Sequence, residues 1–185
     1  VANFKIKTDM TAEEIMDNIN KFLPGDIGII SAWEAEPRFH SRLNAIKKTY
    51  RYKILTGKIP AVFTEKYAFR HTDSLNIELM RSASEYLIGK HDFKSFTDNK
   101  KRNKSTVRTI ESIEIFQSGN EINIDFTGNG FLYHMVRILS GTLIKVGEGE
   151  LSPESITQII EDKNRSSSGP LAPAKGLMLM EVFYK

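Results

Sequence analysis

Two strand-like runs separated by a short turn, the second of which alternates strictly between polar and apolar residues, constrain the fold of this chain more than any other feature. The runs are residues 107–116 and 121–127, and Gln117-Ser118-Gly119-Asn120 lies between them. Alternation with a period of two is typical of strands with one buried face, and a short turn containing glycine joins neighbouring antiparallel strands. The pattern therefore predicts a β-hairpin.

Further elements on both sides of the hairpin predict a mixed fold. Thr11-Ala12-Glu13-Glu14 is a capping box that begins a helix, and Pro24-Gly25 ends it. We predict further helices from Asp73 or Asn76 to a left-handed cap at Gly89, over residues 131–146, and from an N-cap at Ser152; we predict strands at residues 1–7, 27–33, 49–55 and 177–184. This order favours an α+β fold with a largely antiparallel sheet flanked by helices.

The composition permits a folded core and excludes several classes of protein. The chain has 185 residues, of which 40% are hydrophobic, and this is enough to bury a core. It has no cysteine, which excludes disulfides and thiolate metal sites and fits a reducing compartment such as the cytoplasm. No run of eighteen uninterrupted apolar residues occurs, so we expect no transmembrane helix and no membrane partner.

Positive charge is concentrated in two segments, although the net charge is only +3. Residues 38–53 contain Arg38, Arg42, Lys47, Lys48, Arg51 and Lys53 without an acidic residue, and His40, Tyr50 and Tyr52 lie among them. Residues 94–108 contain Lys94, Lys100, Lys101, Arg102, Lys104 and Arg108 with Asp98 as the single acid. Cations neutralise phosphates and aromatic rings stack on bases, so the first segment indicates nucleic acid binding, whereas the second is equally typical of an exposed turn.

Two residues are candidates for chemistry, each with a structural alternative. In the strand at 49–55, Tyr50 and Tyr52 share one face and Arg51 shares the other with Lys53. Tyr50 is therefore either a core tyrosine or an aromatic residue that contacts a ligand. Arg137 lies off the apolar stripe of the helix at 131–146 but among apolar neighbours, so it needs a phosphate or carboxylate partner, which in turn is either functional or structural.

Motifs for metal and nucleotide binding are absent from the sequence. The four histidines are scattered and form no HExxH motif, so we predict no metal site. Gly128-Asn129-Gly130 matches neither the Walker A nor the dinucleotide pattern, and we interpret it as a turn between a strand and a helix.

Several segments, taken together and in order, resemble the tRNA pseudouridine synthase A family. They are Leu23-Pro24-Gly25-Asp26-Ile27, Arg38-Phe39-His40-Ser41-Arg42, Lys48-Thr49-Tyr50-Arg51-Tyr52, Gly89-Lys90-His91-Asp92-Phe93, the segment from Gly128-Asn129-Gly130-Phe131 to Met135-Val136-Arg137, and Gly169-Pro170-Leu171-Ala172-Pro173-Ala174-Lys175-Gly176-Leu177. The resemblance covers nearly the whole chain and implies a pseudouridine synthase fold.

The resemblance also implies an activity and roles for particular residues. Members of the family isomerise uridine to pseudouridine in the anticodon stem-loop of tRNA, without a cofactor and as homodimers. By resemblance, Tyr50 stacks on the flipped base and takes a proton from its C5, whereas Arg137 pairs with a catalytic aspartate. Arg42, Lys48 and Arg51 are the residues expected to bind RNA. We therefore expect Tyr50 and Arg137 to face one cleft.

The chain departs from the family pattern in one respect that matters for catalysis. The family's aspartate lies in a Gly-Arg-Thr-Asp-Ala-Gly-Val-His-like motif, and this motif is absent here. We therefore interpret the chain as a fragment, with residues 1–46 a remnant of an N-terminal lobe and residues 47–185 the C-terminal lobe, and expect it to be inactive alone. The alternative is a non-catalytic RNA-binding module with the same fold. A smaller departure is Leu171, where the resemblance leads us to expect threonine.

Overall fold

The computed structural model describes residues 1–99 and 105–185. The chain divides into two compact units, Val1–Ala45 and Ile46–Lys185, and each is described by itself. Lys100, Lys101, Arg102 and Lys104 of the second basic segment lie outside the described residues. No helix in the described ranges is long and apolar enough to cross a membrane.

The first unit contains one helix, α1 (Ala12–Asn20), among its described residues. The predicted capping box is confirmed, because Thr11 and Glu14 each accept a hydrogen bond from the backbone of the other. The strands predicted at residues 1–7 and 27–33 are wrong, since neither segment pairs in a sheet. The Asn20 side chain takes the place of a strand partner at residues 27–33. Its amide nitrogen donates a hydrogen bond to the Ile29 carbonyl, and its amide oxygen accepts one from the Ile29 N–H.

The second unit is built on a six-stranded, mostly antiparallel sheet. The strands are β1 (Ala45–Thr56), β2 (Phe69–His71), β3 (Gly89–Asp92), β4 (Val107–Ser118), β5 (Glu121–Gly128) and β6 (Leu177–Tyr184). Their order is β2-β1-β5-β4-β3, and β6 also pairs with β1. The predicted hairpin is confirmed as β4 and β5, which pair antiparallel from Ser118 and Glu121 at the turn. At this turn Gly119 has a φ of +56°, a conformation that favours glycine.

Three helices accompany the sheet in the described part of this unit: α2 (Ile77–Glu85), α3 (Met135–Gly147) and α4 (Ser155–Asp162). The strand period places Tyr52 and Ile54 on the same face of the sheet as their partners Ile124 and Ile122 on β5. These residues are buried in one hydrophobic core with residues from all three helices. The expected α+β fold is thereby confirmed.

Three predicted helix boundaries in the second unit are wrong. Helix α3 begins at Met135, not at residue 131, because His134 has a left-handed backbone with a φ of 63°. Helix α4 begins at Ser155, since the residues from Ser152 first form a separate turn. Asn76 caps α2 as predicted, but the helix ends at Glu85, and Gly89 is instead the first residue of β3.

Candidate active site

Strand β1 carries Tyr50 on the face of the sheet that packs into the core. Phe126 is its partner on β5, and both tyrosines of the Tyr50-Arg51-Tyr52 run point to this side. Tyr50 is half-buried, and its ring meets that of Phe131 edge to face at 5.4 Å between centroids. One edge of the tyrosine is therefore fixed by an aromatic neighbour, while part of the side chain stays accessible.

Helix α3 positions Arg137, which is partly exposed although most of the helix around it is buried. Its Nε donates a hydrogen bond of 2.6 Å to the carbonyl of Ala172, and the Ala172 N–H donates to the Arg137 carbonyl at 3.3 Å. Within residues 46–99 and 105–185, no carboxylate forms an ion pair with Arg137. Nε is thus anchored, whereas the terminal nitrogens remain able to bind a carboxylate.

Tyr52 links Arg137 to strand β1. Its hydroxyl donates a hydrogen bond of 2.8 Å to the carbonyl of Pro173. Pro173 follows Ala172, whose carbonyl accepts the hydrogen bond from Arg137. Burial raises the pKa of the Tyr52 hydroxyl, and the positive charge of Arg137 acts in the opposite direction. Arg137 therefore lies close to Tyr52, two positions along the strand from Tyr50. A single cleft shared by Tyr50 and Arg137 stays a prediction.

The residues predicted to bind RNA lie in different surroundings. Lys48 is on the same face of β1 as Tyr50 and has no ion pair within the described residues of the second unit. Arg51 is on the opposite face, where it donates two hydrogen bonds of 2.7 Å to Asp125. Arg42 belongs to the first unit and is exposed. Contacts with RNA stay predictions for all three residues, although the pair with Asp125 disfavours a phosphate contact by Arg51.

The face that carries Arg51 is a surface of paired charges. Its ion pairs are Lys47 with Glu111, Arg51 with Asp125 and Lys53 with Glu121. The Arg51 guanidinium also lies over the ring of Phe116, and the Lys47 ammonium lies over that of Phe183. These cations already have partners inside the protein, so this face resembles a stabilised sheet surface more than a free phosphate site.

Sequence reasoning missed three participants in this region. The period of two in β1 could have added Tyr52 to the candidate residues beside Tyr50. Phe131 belongs to the predicted helix at 131–146, whereas in the structure it precedes α3 and contacts Tyr50. The backbone carbonyls of the loop at 169–176 carry no sequence signal for their role as acceptors.

Comparison with known families assigns the chain to a class. The model of the tRNA pseudouridine synthase family matches residues 83–185, more than half of the chain, and this range includes Phe131 and Arg137. The match also includes the loop at 169–176.

Individual relatives extend the match to the whole chain. The tRNA pseudouridine synthase A 2 of Clostridium tetani is 44% identical over 99% of this chain and 74% of its own length. The tRNA pseudouridine synthase A of Bacillus subtilis is 40% identical over 100% of this chain and 74% of its own length. The tRNA pseudouridine synthase A 1 of Bacillus cereus is 45% identical over 90% and 67%, respectively. The chain therefore belongs to the tRNA pseudouridine synthase A family.

Proposed function

We propose that this protein is an isomerase that converts uridine to pseudouridine in the anticodon stem-loop of tRNA, without a cofactor. The observation that carries the proposal is the sequence identity of 40–45% to synthases of this type along almost the whole chain. The half-buried Tyr50 and the anchored Arg137, both beside Tyr52, support it from the geometry. A homodimer in the cytoplasm is part of the same proposal.

The reaction rearranges one nucleotide without net oxidation or reduction. The bond between C1′ of the ribose and N1 of uracil breaks, the base turns, and C1′ forms a bond to C5. The proton on C5 is then removed, and N1 carries a proton in the product. The enzyme must therefore hold a base that has left the RNA stack, stabilise the broken glycosidic bond and remove one proton.

Each candidate residue has a place in this scheme. Tyr50 would stack on the flipped uracil, and its hydroxyl would accept the C5 proton. Arg137 would hold an aspartate ionised through its terminal nitrogens, while its Nε stays bonded to the Ala172 carbonyl. In the described part of the second unit no carboxylate pairs with Arg137, so its terminal nitrogens are open to such an aspartate.

Separating the stacking role of Tyr50 from its hydroxyl tests the proposal. Tyr50→Phe keeps the ring but removes the proton acceptor, so we expect tRNA affinity near that of the wild type and turnover lower by about 10²- to 10⁴-fold. The measurement is chemical detection of pseudouridine in unmodified tRNA, using a form that carries the family's aspartate motif. Tyr67→Phe removes a hydroxyl from an exposed tyrosine and is the matched control, with turnover expected to stay at the wild-type rate.

The same assay decides between the proposal and its alternative. A form that carries the aspartate motif and binds tRNA but makes no pseudouridine would identify a non-catalytic RNA-binding module. The 185-residue chain by itself is expected to form none, since it lacks the aspartate motif. Turnover by this chain near the rate of the longer form would mean that one of its own carboxylates does the chemistry.

A further inference from the structure

Tyr133 and His134 form an unusual pair just before α3. Their rings are stacked, with centroids 3.7 Å apart and planes inclined by 25°. Side chains of consecutive residues diverge in regular helices and strands, so face-to-face stacking needs an irregular backbone. His134 provides it with a φ of 63° and a ψ of 0°, a left-handed conformation that is strained for a non-glycine residue. Such strain persists only where the surroundings enforce it.

The surroundings of His134 do enforce this conformation. Asp98 accepts a hydrogen bond of 2.8 Å from Nδ1 of His134 and another of 3.0 Å from Nε of Arg165. The bond from His134 lowers the pKa of the Asp98 carboxyl, burial opposes this, and Arg165 adds to the lowering. The Thr97 hydroxyl donates to the carbonyl of Tyr133 at 2.9 Å. The imidazole is thereby a fixed backing for the tyrosine ring.

The other side of the tyrosine ring is open. Tyr133 is 62% exposed, although Phe131, two positions earlier, points inward and contacts Tyr50. An aromatic side chain that served the core would bury its ring, as Phe131 does. Tyr133 instead presents a ring that is already held against His134, two residues after the Phe131 that contacts Tyr50, so binding a flat partner would cost little further ordering.

A cation lies along the same segment. The Arg108 side chain passes over Gly130, where an added Cβ would be 3.8 Å from Nε of Arg108. Its Nη1 donates to the carbonyls of Ser105 and Val107, and no carboxylate pairs with it in the described part of the chain. An exposed aromatic ring with this arginine along the same segment is a combination suited to single-stranded RNA, because the ring stacks on a base and the cation contacts phosphate.

We propose that the open face of Tyr133 is a stacking site for an unpaired base of the RNA substrate, adjacent to the uridine that Tyr50 receives, with Arg108 at a neighbouring phosphate. The inference rests on the proposed function and adds a second base-binding position to it. Asp98 is a positioning residue in this arrangement: it touches no RNA and acts by holding His134 behind the ring.

The affinity of ring variants for an anticodon stem-loop RNA tests this site. A base stacked on an aromatic ring contributes about 1–3 kcal/mol, so Tyr133→Leu should weaken binding by about 5- to 150-fold. Tyr133→Phe keeps the stacking face and should bind within about twofold of the wild type. Tyr67→Leu is the matched control, because Tyr67 is 63% exposed and lies in the turn before β2. It should leave affinity unchanged.

Direct detection of stacking uses RNA with 2-aminopurine next to the target uridine. Its fluorescence should be quenched by wild-type protein and by Tyr133→Phe, and recover in the complex with Tyr133→Leu. If wild-type protein binds the RNA but Tyr133→Leu binds equally well with equal quenching, the stacking site is wrong while the proposed function stands. A second outcome against the site is loss of dimerisation, not of RNA affinity, in Tyr133→Leu. Absence of RNA binding by the wild type would instead reject the proposed function itself.

Discussion

Lys48 and Arg51 lie three positions apart on β1 but on opposite faces of the sheet. Arg51 is held in a bidentate pair with Asp125, and the two side chains are only 25% and 17% exposed. Lys48 lies on the face of Tyr50 without an ion pair in the described residues of its unit. The same charge therefore has a structural use at one position and is available for a phosphate at the other.

This difference predicts opposite effects for two matched substitutions. Arg51→Gln should lower the free energy of unfolding by about 1–3 kcal/mol, because it leaves Asp125 partly buried without its charged partner. Its RNA affinity should stay near the wild-type value. Lys48→Gln should change stability by about 0.5 kcal/mol or less and weaken RNA binding several-fold. Denaturant unfolding measures the stability of each variant, and RNA titration measures its affinity. If Arg51→Gln has normal stability but has lost RNA affinity, Arg51 contacts RNA and its structural role is wrong.

At the scale of elements, the site depends on the contact between α3 and the loop at 169–176. An added Cβ on Gly141 would lie 2.0 Å from the carbonyl oxygen of Pro170, and one on Gly169 would lie 2.6 Å from Cα of Thr142. The helix and the loop thus touch backbone to backbone. The Gly169 N–H also donates to the Thr142 hydroxyl at 2.9 Å. This contact sets the position of the carbonyl that anchors Arg137.

Gly141→Ala tests how closely this contact is required. Exchanging a helical glycine for alanine ordinarily stabilises a helix by about 1 kcal/mol. Here the methyl group would overlap a backbone oxygen, and such overpacking costs about 1–3 kcal/mol or more, so we expect a net loss of stability. Denaturant unfolding measures it. Gly28→Ala, which meets nothing within 4 Å, is the control and should unfold like the wild type. Equal stability of both variants would show that the loop moves freely.

Local patterns predicted those elements whose cause is local. The hairpin of β4 and β5 follows from alternation and a glycine turn, and α1 follows from its capping box. The segment at 27–33 is rich in isoleucine but is no strand, because a strand also needs a partner with free backbone groups. The start of α3 depends on Asp98, which lies 36 positions before His134 in the sequence. Contacts of that range leave no periodic signal.

The candidate site, like the elements, was predictable from sequence only where a local pattern marks a residue. The period of two placed Tyr50 and Tyr52 on one face, and the apolar neighbours of Arg137 indicated that it needs a partner. The actual acceptors of Tyr52 and Arg137 are the backbone carbonyls of Pro173 and Ala172. Any residue type supplies a carbonyl, so only the folded chain reveals these bonds.

At the scale of the whole molecule, the distribution of charge matters more than the net charge of +3. Arg38 and Arg42 are exposed in the first unit, while Lys48 and Arg108 are available in the second. Arg51 and Lys53 raise the count of cations without adding free charge, because carboxylates neutralise them. The number of phosphates that the protein contacts should therefore be smaller than its lysine and arginine content suggests.

Salt dependence measures that number directly. Each neutralised phosphate lowers log K by about 0.7–0.9 per tenfold increase in salt, so tRNA affinity should fall steeply between low and physiological salt. Arg42→Ala should weaken binding and reduce the slope by about one phosphate, since the lost cation no longer releases a counterion. Lys21→Ala removes an exposed cation of the same unit outside the basic segment and should leave the slope unchanged. An affinity that stays flat with salt, or equal slopes for the two variants, would mean that RNA is held by contacts other than the cations of residues 38–53.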